Sequence, residues 1–242
     1  MNRPFISIVI PAYNEETYIG HCLEHVMREV AASGTSAEVI VIDNASTDRT
    51  GEVAHGFPGV TVVREPAKGL TKARQCGLEA ARGDVLAFAD ADTRMPPGWL
   101  TQVAERFGED KTLVCFSGPY TFYDLSFLER HLAWLYWLVL VWPTYLFTGF
   151  MAVGGNFAAR KEALVQIGGF DTSIAFYGED ANIARRLHAA GQSGFSMRLY
   201  MPTSARRLKA EGIFTTAFRY AGNFLSEAFL KKPATMSYRD IR

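Results

Sequence analysis

The chain has 242 residues, 48% of them hydrophobic, which is enough for one large α/β domain or two small ones and excludes a disordered chain. Lysine plus arginine equals aspartate plus glutamate at 25 each, so no global field recruits nucleic acid and any anion site must be local. Cys22, Cys76 and Cys115 are odd in number and widely separated, which argues against a disulfide framework or a structural zinc site and fits a reducing compartment.

The apolar run from Phe5 to Ile10 is too short for the core of a signal peptide, so a cytoplasmic location is expected. Ile6–Ile10, closed by Pro11, reads as a first strand, Thr17 to Ala32 as an amphipathic helix, and Glu38 to Asp43 as a second strand. Together they make a βαβ unit. A helix over Thr47–Ala54, a strand over Val60–Val63, a helix over Thr71–Ala81 and a strand over Val85–Ala89 follow. Near-continuous apolar strands between helices predict a mostly parallel sheet covered on both faces. No repeat or linker interrupts the chain.

Ligands of open α/β sheets bind at the carboxyl ends of the strands, and these ends are polar. The first is followed by Pro11-Ala12-Tyr13-Asn14-Glu15-Glu16, where an aromatic ring can pack on a base. The second is followed by Asp43-Asn44-Ala45-Ser46-Thr47-Asp48. Ser46 and Asp48 suit helix capping, whereas Asp43 is placed to accept from a nucleobase imide or a ribose hydroxyl. The fourth ends in Asp90-Ala91-Asp92. Paired carboxylates without softer donors suit a hard dication that takes its remaining ligands from phosphates. Neither a Gly-x-Gly-x-x-Gly nor a Walker-type loop is present, so a metal on Asp92, helped by Arg74 and the Lys68-Gly69 turn, must neutralise phosphate instead.

Farther along, Glu179-Asp180 opens an amphipathic helix from Asp180 to Ala190 that ends at Gly191, and Asp180 reads equally as its N-cap. Arg185, Arg186, Arg206 and Arg207 are candidates for an anion clamp. From Ile213 to Leu230, Phe214, Phe218, Ala221, Leu225 and Phe229 share one helical face, predicted to cover the core or else to help dock on a membrane, and Arg219, Asn223, Glu227 and Lys231 recur on the other.

Pro11-Ala12-Tyr13-Asn14-Glu15, Asp43-Asn44-Ala45-Ser46-Thr47-Asp48, Ala73-Arg74 to Gly77, Gly83-Asp84, Asp90-Ala91-Asp92, Gly154-Gly155-Asn156, Gly168-Gly169-Phe170-Asp171 and Gly178-Glu179-Asp180 occur in this order. The ordered set resembles family 2 glycosyltransferases with a GT-A fold, over residues 5 to about 210. The resemblance implies a single Rossmann-like domain over residues 1–210, with a nucleotide-binding half (1–120) and an acceptor and catalytic-base half (121–210). A hydrophobic helical insertion interrupts the second half, and an amphipathic helix and tail follow over residues 211–242.

It further implies that Pro11, Tyr13, Glu15, Asp43 and Arg74 belong to the nucleotide-sugar site, that Asp90, Ala91 and Asp92 hold Mn2+ or Mg2+ and the donor, and that Gly154, Gly155 and Asn156 approach the sugar. Glu179 and Asp180 become catalytic, with Asp180 as general base for an inverting attack, and Arg206 and Arg207 contact the diphosphate. The partners implied are a nucleotide-diphosphate sugar and a glycan or lipid-linked acceptor, without nucleic acid. No Gln-x-x-Arg-Trp motif of processive synthases occurs.

The stretch from Leu132 to Gly155 carries no charge and includes Trp134, Tyr136, Trp137, Trp142 and Tyr145. A crossing there would put Asp92 and Asp180 on opposite sides of a bilayer, and Pro143 interrupts it. A buried or an interfacial helix is therefore expected, the latter giving peripheral contact at the inner face of a membrane. Alternatives within reach are a polyprenyl-phosphate sugar synthase, a sugar nucleotidyltransferase, or a non-catalytic nucleotide-sugar binding protein.

Overall fold

Seven consecutive buried residues, Ile6–Ala12, form β1 near the middle of a seven-stranded sheet in a computed structural model of the chain. Residues 3–174, 176–231 and 234–235 are described, with the backbone alone for Ile213 and Phe214. In chain order the elements are β1, α1 (Ile19–Ser33), β2 (Ala37–Asn44), α2 (Thr50–His55), β3 (Val60–Glu65), α3 (Leu70–Ala80), β4 (Val85–Ala89), α4 (Trp99–Glu109), β5 (Leu113–Ser117) and β6 (Tyr120–Phe122). Then come α5 (Phe127–Tyr136), a π-turn (Trp137–Val141), α6 (Trp142–Thr148), β7 (Asn156–Arg160), α7 (Lys161–Gln166), α8 (Glu179–His188), β8 (Gln192–Phe195), β9 (Met201–Thr203), α9 (Arg206–Glu211) and α10 (Ile213–Leu230).

The sheet runs β3-β2-β1-β4-β7-β5-β8, and only β7 is antiparallel to its neighbours. This is the mostly parallel α/β architecture expected. Strand β1 continues through Pro11 to Ala12 beside β2 alone, because β4 stops pairing at Val9. A proline is tolerated there, at a local edge. The inserted β7 lies between β4 and β5, so one sheet runs through residues on both sides of position 120.

Apolar side chains cover both faces. Ile19, Cys22, Leu23 and Val26 of α1, at helical spacing, pack with α4 residues such as Trp99 and Phe107 on one face. On the other, Ala73 and Leu78 of α3 join Ile183 and Leu187 of α8. Each large aliphatic side chain so buried contributes about 1.5–3 kcal/mol. Gly77 brings α3 close, since a Cβ there would stand 2.3 Å from Val9 Cγ1.

The charge-free stretch is divided. Pro143 lies in the first turn of α6, and the π-turn immediately precedes it, where the widened ladder accommodates a ring that would strike the carbonyl four residues back. Inner side chains Tyr136, Trp137, Trp142 and Tyr145 pack around Phe195, Met151 and Val153, while the outer face is exposed. No described helix is long and apolar enough to cross a membrane.

Helix α10 corrects the expected orientation. Its Thr216, Asn223 and Glu227 are buried, whereas Phe218, Leu225, Phe229 and Leu230 face outward. Glu227 is the reason: it accepts from Asn182 Nδ2 at 3.0 Å and from Arg185 Nη2 at 2.8 Å on α8, so the polar stripe has buried partners to meet. The side chain of Phe214, expected on the apolar face, lies outside the described residues.

Candidate active site

The turn after β4 alternates as a strand end should: Ala91 is buried in the core, and Asp90 and Asp92 project toward the polar edge. A two-stranded parallel ribbon, β6 with β9, grips both carboxylates. Tyr120 of β6 donates its hydroxyl to Asp90 Oδ2 at 2.7 Å, and Thr203 of β9 donates to Asp92 Oδ1 at 3.2 Å. Three residues beyond, Arg206 places Nε 3.0 Å from Asp92 Oδ2 while its two Nη groups fork onto the Glu15 carboxylate. Asp124 fixes that arginine's helix by accepting from the Ala205 amide at 2.7 Å.

Glu15 is buried and Arg206 mostly so, making this a charge-assisted, low-dielectric triad. Burial first, offset by Arg206 and reinforced by Asp90 and Glu15, pushes the Asp92 carboxyl up to about 7. Its affinity for any cation is therefore linked to proton release near neutrality.

A second junction ties the turn to the Glu179-Asp180 helix. Arg74 of α3, 1% exposed, pairs through Nη1 with Glu179 and through Nη2 with Asp90 Oδ1 at 3.4 Å. One guanidinium thus joins two acidic motifs about ninety positions apart in sequence. The glycines before β7 make room for it. A Cβ on Gly154 would stand 2.9 Å from both Arg74 Nη2 and Glu179 Oε1, and one on Gly155 2.2 Å from Asp90 Cγ. The Gly155 amide donates to the Tyr120 hydroxyl at 2.7 Å. Burial raises the Glu179 carboxyl, and the Arg74 charge offsets part of that rise.

Beside β1 and β2 the two expected nucleotide loops are stitched together. The Asn14 amide donates to Ser46 Oγ at 3.1 Å, and the Thr47 amide donates to Asn14 Oδ1 at 2.8 Å. Asp43, at the end of β2, accepts from the Ser46 amide at 3.2 Å and remains half-buried. Lys68 Nζ sits 3.9 Å above the Tyr13 ring. Pro11 is buried in the strand and offers no polar side-chain group.

Asp180 begins α8 with a half-buried carboxylate that accepts from the next amide, Ala181, at 2.8 Å. Its pKa is raised by burial, with that amide and Arg74 opposing. The Tyr136 phenol of α5 is pushed up to about 12 by burial and then by the Asp180 charge, and the Tyr220 phenol of α10 is raised by burial, with Arg207 opposing and Asp180 contributing.

Several expected roles are not met. Asn156 is fully buried and its amide is saturated, accepting from Trp99 Nε1 at 2.9 Å and donating to the Pro119 and Leu199 carbonyls, so it holds β7 in place and presents nothing to a sugar. Arg74 is consumed by Asp90 and Glu179 and is too enclosed to serve as a phosphate ligand. Arg207 turns to Tyr177 and Glu211, with its guanidinium 4.4 Å from the Phe176 ring. Arg185 pairs with Glu227, and Arg186 caps the Ile167 and Gly169 carbonyls. Tyr120, Thr203 and Asp124 are the residues that sequence reasoning missed. They stand on or just after two three-residue strands, and nothing local marks them.

The donor set is carboxylate oxygen only. No group of three or more His, Cys, Asp or Glu capable of caging a metal occurs among the described residues. That suits a hard cation held by one or two carboxylates and completed by ligand oxygens. A cation already stands at Asp92, in the form of Arg206.

The family model described as Glycosyl transferase family 2 matches residues 7–168. Among curated relatives, glycosyltransferase AglE of Haloferax volcanii is 35% identical over 102 residues, covering 40% of this chain and 33% of that protein. The chain matches only about a third of the length of the first curated relatives. Among solved structures, the mannosyltransferase PcManGT of Pyrobaculum calidifontis, in complex with GDP-Man and Mn2+, superposes with TM-score 0.68 at 20% identity, covering 96% of this chain and 64% of that one. Glucosyl-3-phosphoglycerate synthase of Mycobacterium tuberculosis, with Mn2+, UDP-Glc and phosphoglyceric acid, gives TM-score 0.60 at 21% identity over 93% of this chain and 80% of that one. Both share the fold.

Proposed function

Since the chain belongs to glycosyl transferase family 2, we propose that it moves a single sugar from a nucleoside-diphosphate sugar to an acceptor hydroxyl, with inversion, at the inner face of a membrane. The observation that carries this reading is the Arg74 junction, which draws the Asp90–Asp92 turn and the Glu179–Asp180 helix onto one polar edge. Solved neighbours with GDP-Man, UDP-Glc and Mn2+ support the donor class and the cation.

Asp92, with Asp90 beside it, would hold Mn2+ or Mg2+. Bound there, the cation supplies Lewis-acid stabilisation of the charge that develops on the leaving diphosphate. Tyr13 and Asp43 receive base and ribose, and Arg206, the one clamp arginine already at Asp92, turns its guanidinium to phosphate oxygens. Asp180 takes the proton from the acceptor hydroxyl as its oxygen bonds the anomeric carbon. The bond from that carbon to phosphate oxygen breaks, and the electron pair leaves with the nucleoside diphosphate. A raised carboxyl pKa suits a base working near neutrality. Glu179 and Arg74 position Asp180 without touching the acceptor.

A thermal-shift panel of UDP and GDP with and without Mn2+ identifies the nucleotide, since a ligand stabilises the native state in proportion to ln(1 + [L]/Kd). Asp180→Asn should retain that shift and lose about 100- to 10,000-fold in transfer to a hydroxyl. Retained turnover would favour a phosphate acceptor, whose oxygen needs no base. Pyrophosphate release would indicate a nucleotidyltransferase, and donor binding with no hydrolysis a binding protein.

A further inference from the structure

All but two of the exposed large hydrophobic side chains among the described residues, Val165 and Tyr200, lie on two segments: α5 through α6, and α10. Phe147 is 82% exposed and Phe218 77%. The two segments are neighbours, because Phe224 of α10 stacks at 5.6 Å on Phe150 and joins the aromatic cluster beneath the π-turn.

Their charge pattern is one-sided. Residues 132–155 contain no Asp, Glu, Lys, Arg or His. Helix α10 has only Arg219 and Glu227, and both are spent inward, Arg219 on Glu211 at 2.6 Å and Glu227 on Arg185 at 2.8 Å. Charge returns only at the ends, with Glu129 and the exposed Arg130 and His131 in the first turns of α5 and the exposed Lys231 after α10. Protein interfaces are about as polar as the remaining surface and carry a polar rim. Between these ends the two segments show no outward charge, which matches hydrocarbon, and the terminal Arg130 and Lys231 on long stems match headgroups.

We propose that the outer faces of α5–α6 and α10 rest in the interfacial layer of a lipid bilayer, so that an acceptor reaches Asp180 while still carried on a membrane lipid. Helix α10 packs on α8, the helix that carries Asp180, where its Glu227 accepts from Asn182 and Arg185, so this surface adjoins the carboxylate's helix. Helix α10 is inverted relative to an ordinary covering helix, and a bilayer gives its outward phenylalanines the burial that the core does not. The acceptor clause rests on the transferase reading, whereas bilayer binding does not.

The test is sedimentation of the full chain with vesicles of phosphatidylcholine and phosphatidylglycerol, with tryptophan emission followed in parallel. Co-sedimentation with a blue shift is expected. Phe147→Ser and Phe218→Ser together should lower partitioning about a hundredfold with unchanged circular dichroism and unchanged UDP or GDP binding. No partitioning, or partitioning indifferent to both substitutions, overturns the proposal. So does a lipid-free dimer abolished by the same pair, which would make this face an interface between copies. Vesicle binding without any sugar transfer would leave the surface assignment intact and sink the transferase reading. Transfer to a soluble acceptor without vesicle binding would do the reverse.

Discussion

Replacing Arg206 with glutamine tests the central electrostatic arrangement. In the parent, one guanidinium answers two carboxylates, Glu15 by a fork and Asp92 at 3.0 Å. Removing one partner of a buried ion pair leaves uncompensated charge and costs about 3–5 kcal/mol, which for a chain of this size is roughly 10 °C in Tm. The loss should be full at pH 8 without metal. It should shrink below pH 6, because Asp92, already near pKa 7 with Arg206 present, takes up a proton more readily without it. Mn2+ should restore most of the stability by supplying the missing charge, and Glu15→Gln should relieve part of the defect. Differential scanning fluorimetry across pH, with and without Mn2+, reads all of this. A Tm within a degree of the parent at pH 8 would refute the triad.

Asp92 also sets a pH dependence in the parent. Its carboxyl rises from an ordinary value near 4 to about 7, so the folded state keeps a proton that the unfolded chain has released. Stability should therefore fall as pH climbs from about 4 to 7, by up to about 4 kcal/mol, and level off above; urea unfolding of metal-free protein should show the slope, and Asp92→Asn should flatten it. Gly155→Ala drives a methyl into Asp90 and the Tyr120 hydroxyl, so about 1–3 kcal/mol of overpacking and loss of the Mn2+-dependent nucleotide shift are expected by calorimetry. Arg185→Met strands Glu227 without its cation, and limited proteolysis should cut around α10 before the sheet.

Much of the first half was legible because its signals are local. β-branched runs, helical apolar spacing and acidic strand ends specify the βαβ units and the Asp90–Asp92 turn without help from distant residues. Arg206 was marked by the family resemblance, together with Arg207, since guanidinium chemistry alone offered four equal candidates. What escaped depends on partners far along the chain. The 3.6-residue period of residues 213–230 groups Arg219, Asn223 and Glu227 correctly, yet it cannot say which face turns inward. Asn182 and Arg185 decide that. Asn156 follows two glycines, the place the family pattern gives a ligand-facing residue, but Trp99, 57 positions earlier, claims its oxygen. Tyr120 and Thr203 acquire meaning only once β6 and β9 pair across some eighty residues.

That ribbon has a kinetic consequence. Asp92's hydroxyl donor and its arginine hang from β9 and the residues just after it, and the Asp124 cap of that arginine's helix follows the partner strand β6. The seven-stranded sheet contributes none of them. A brief swing of this short flap would loosen the grip on phosphates and cation at once, while the rigid floor stayed formed. In the proposed reaction, weakening the Thr203 hydrogen bond to Asp92 should change how fast the nucleotide leaves while costing the fold little, unlike loss of the Arg206 ion pairs.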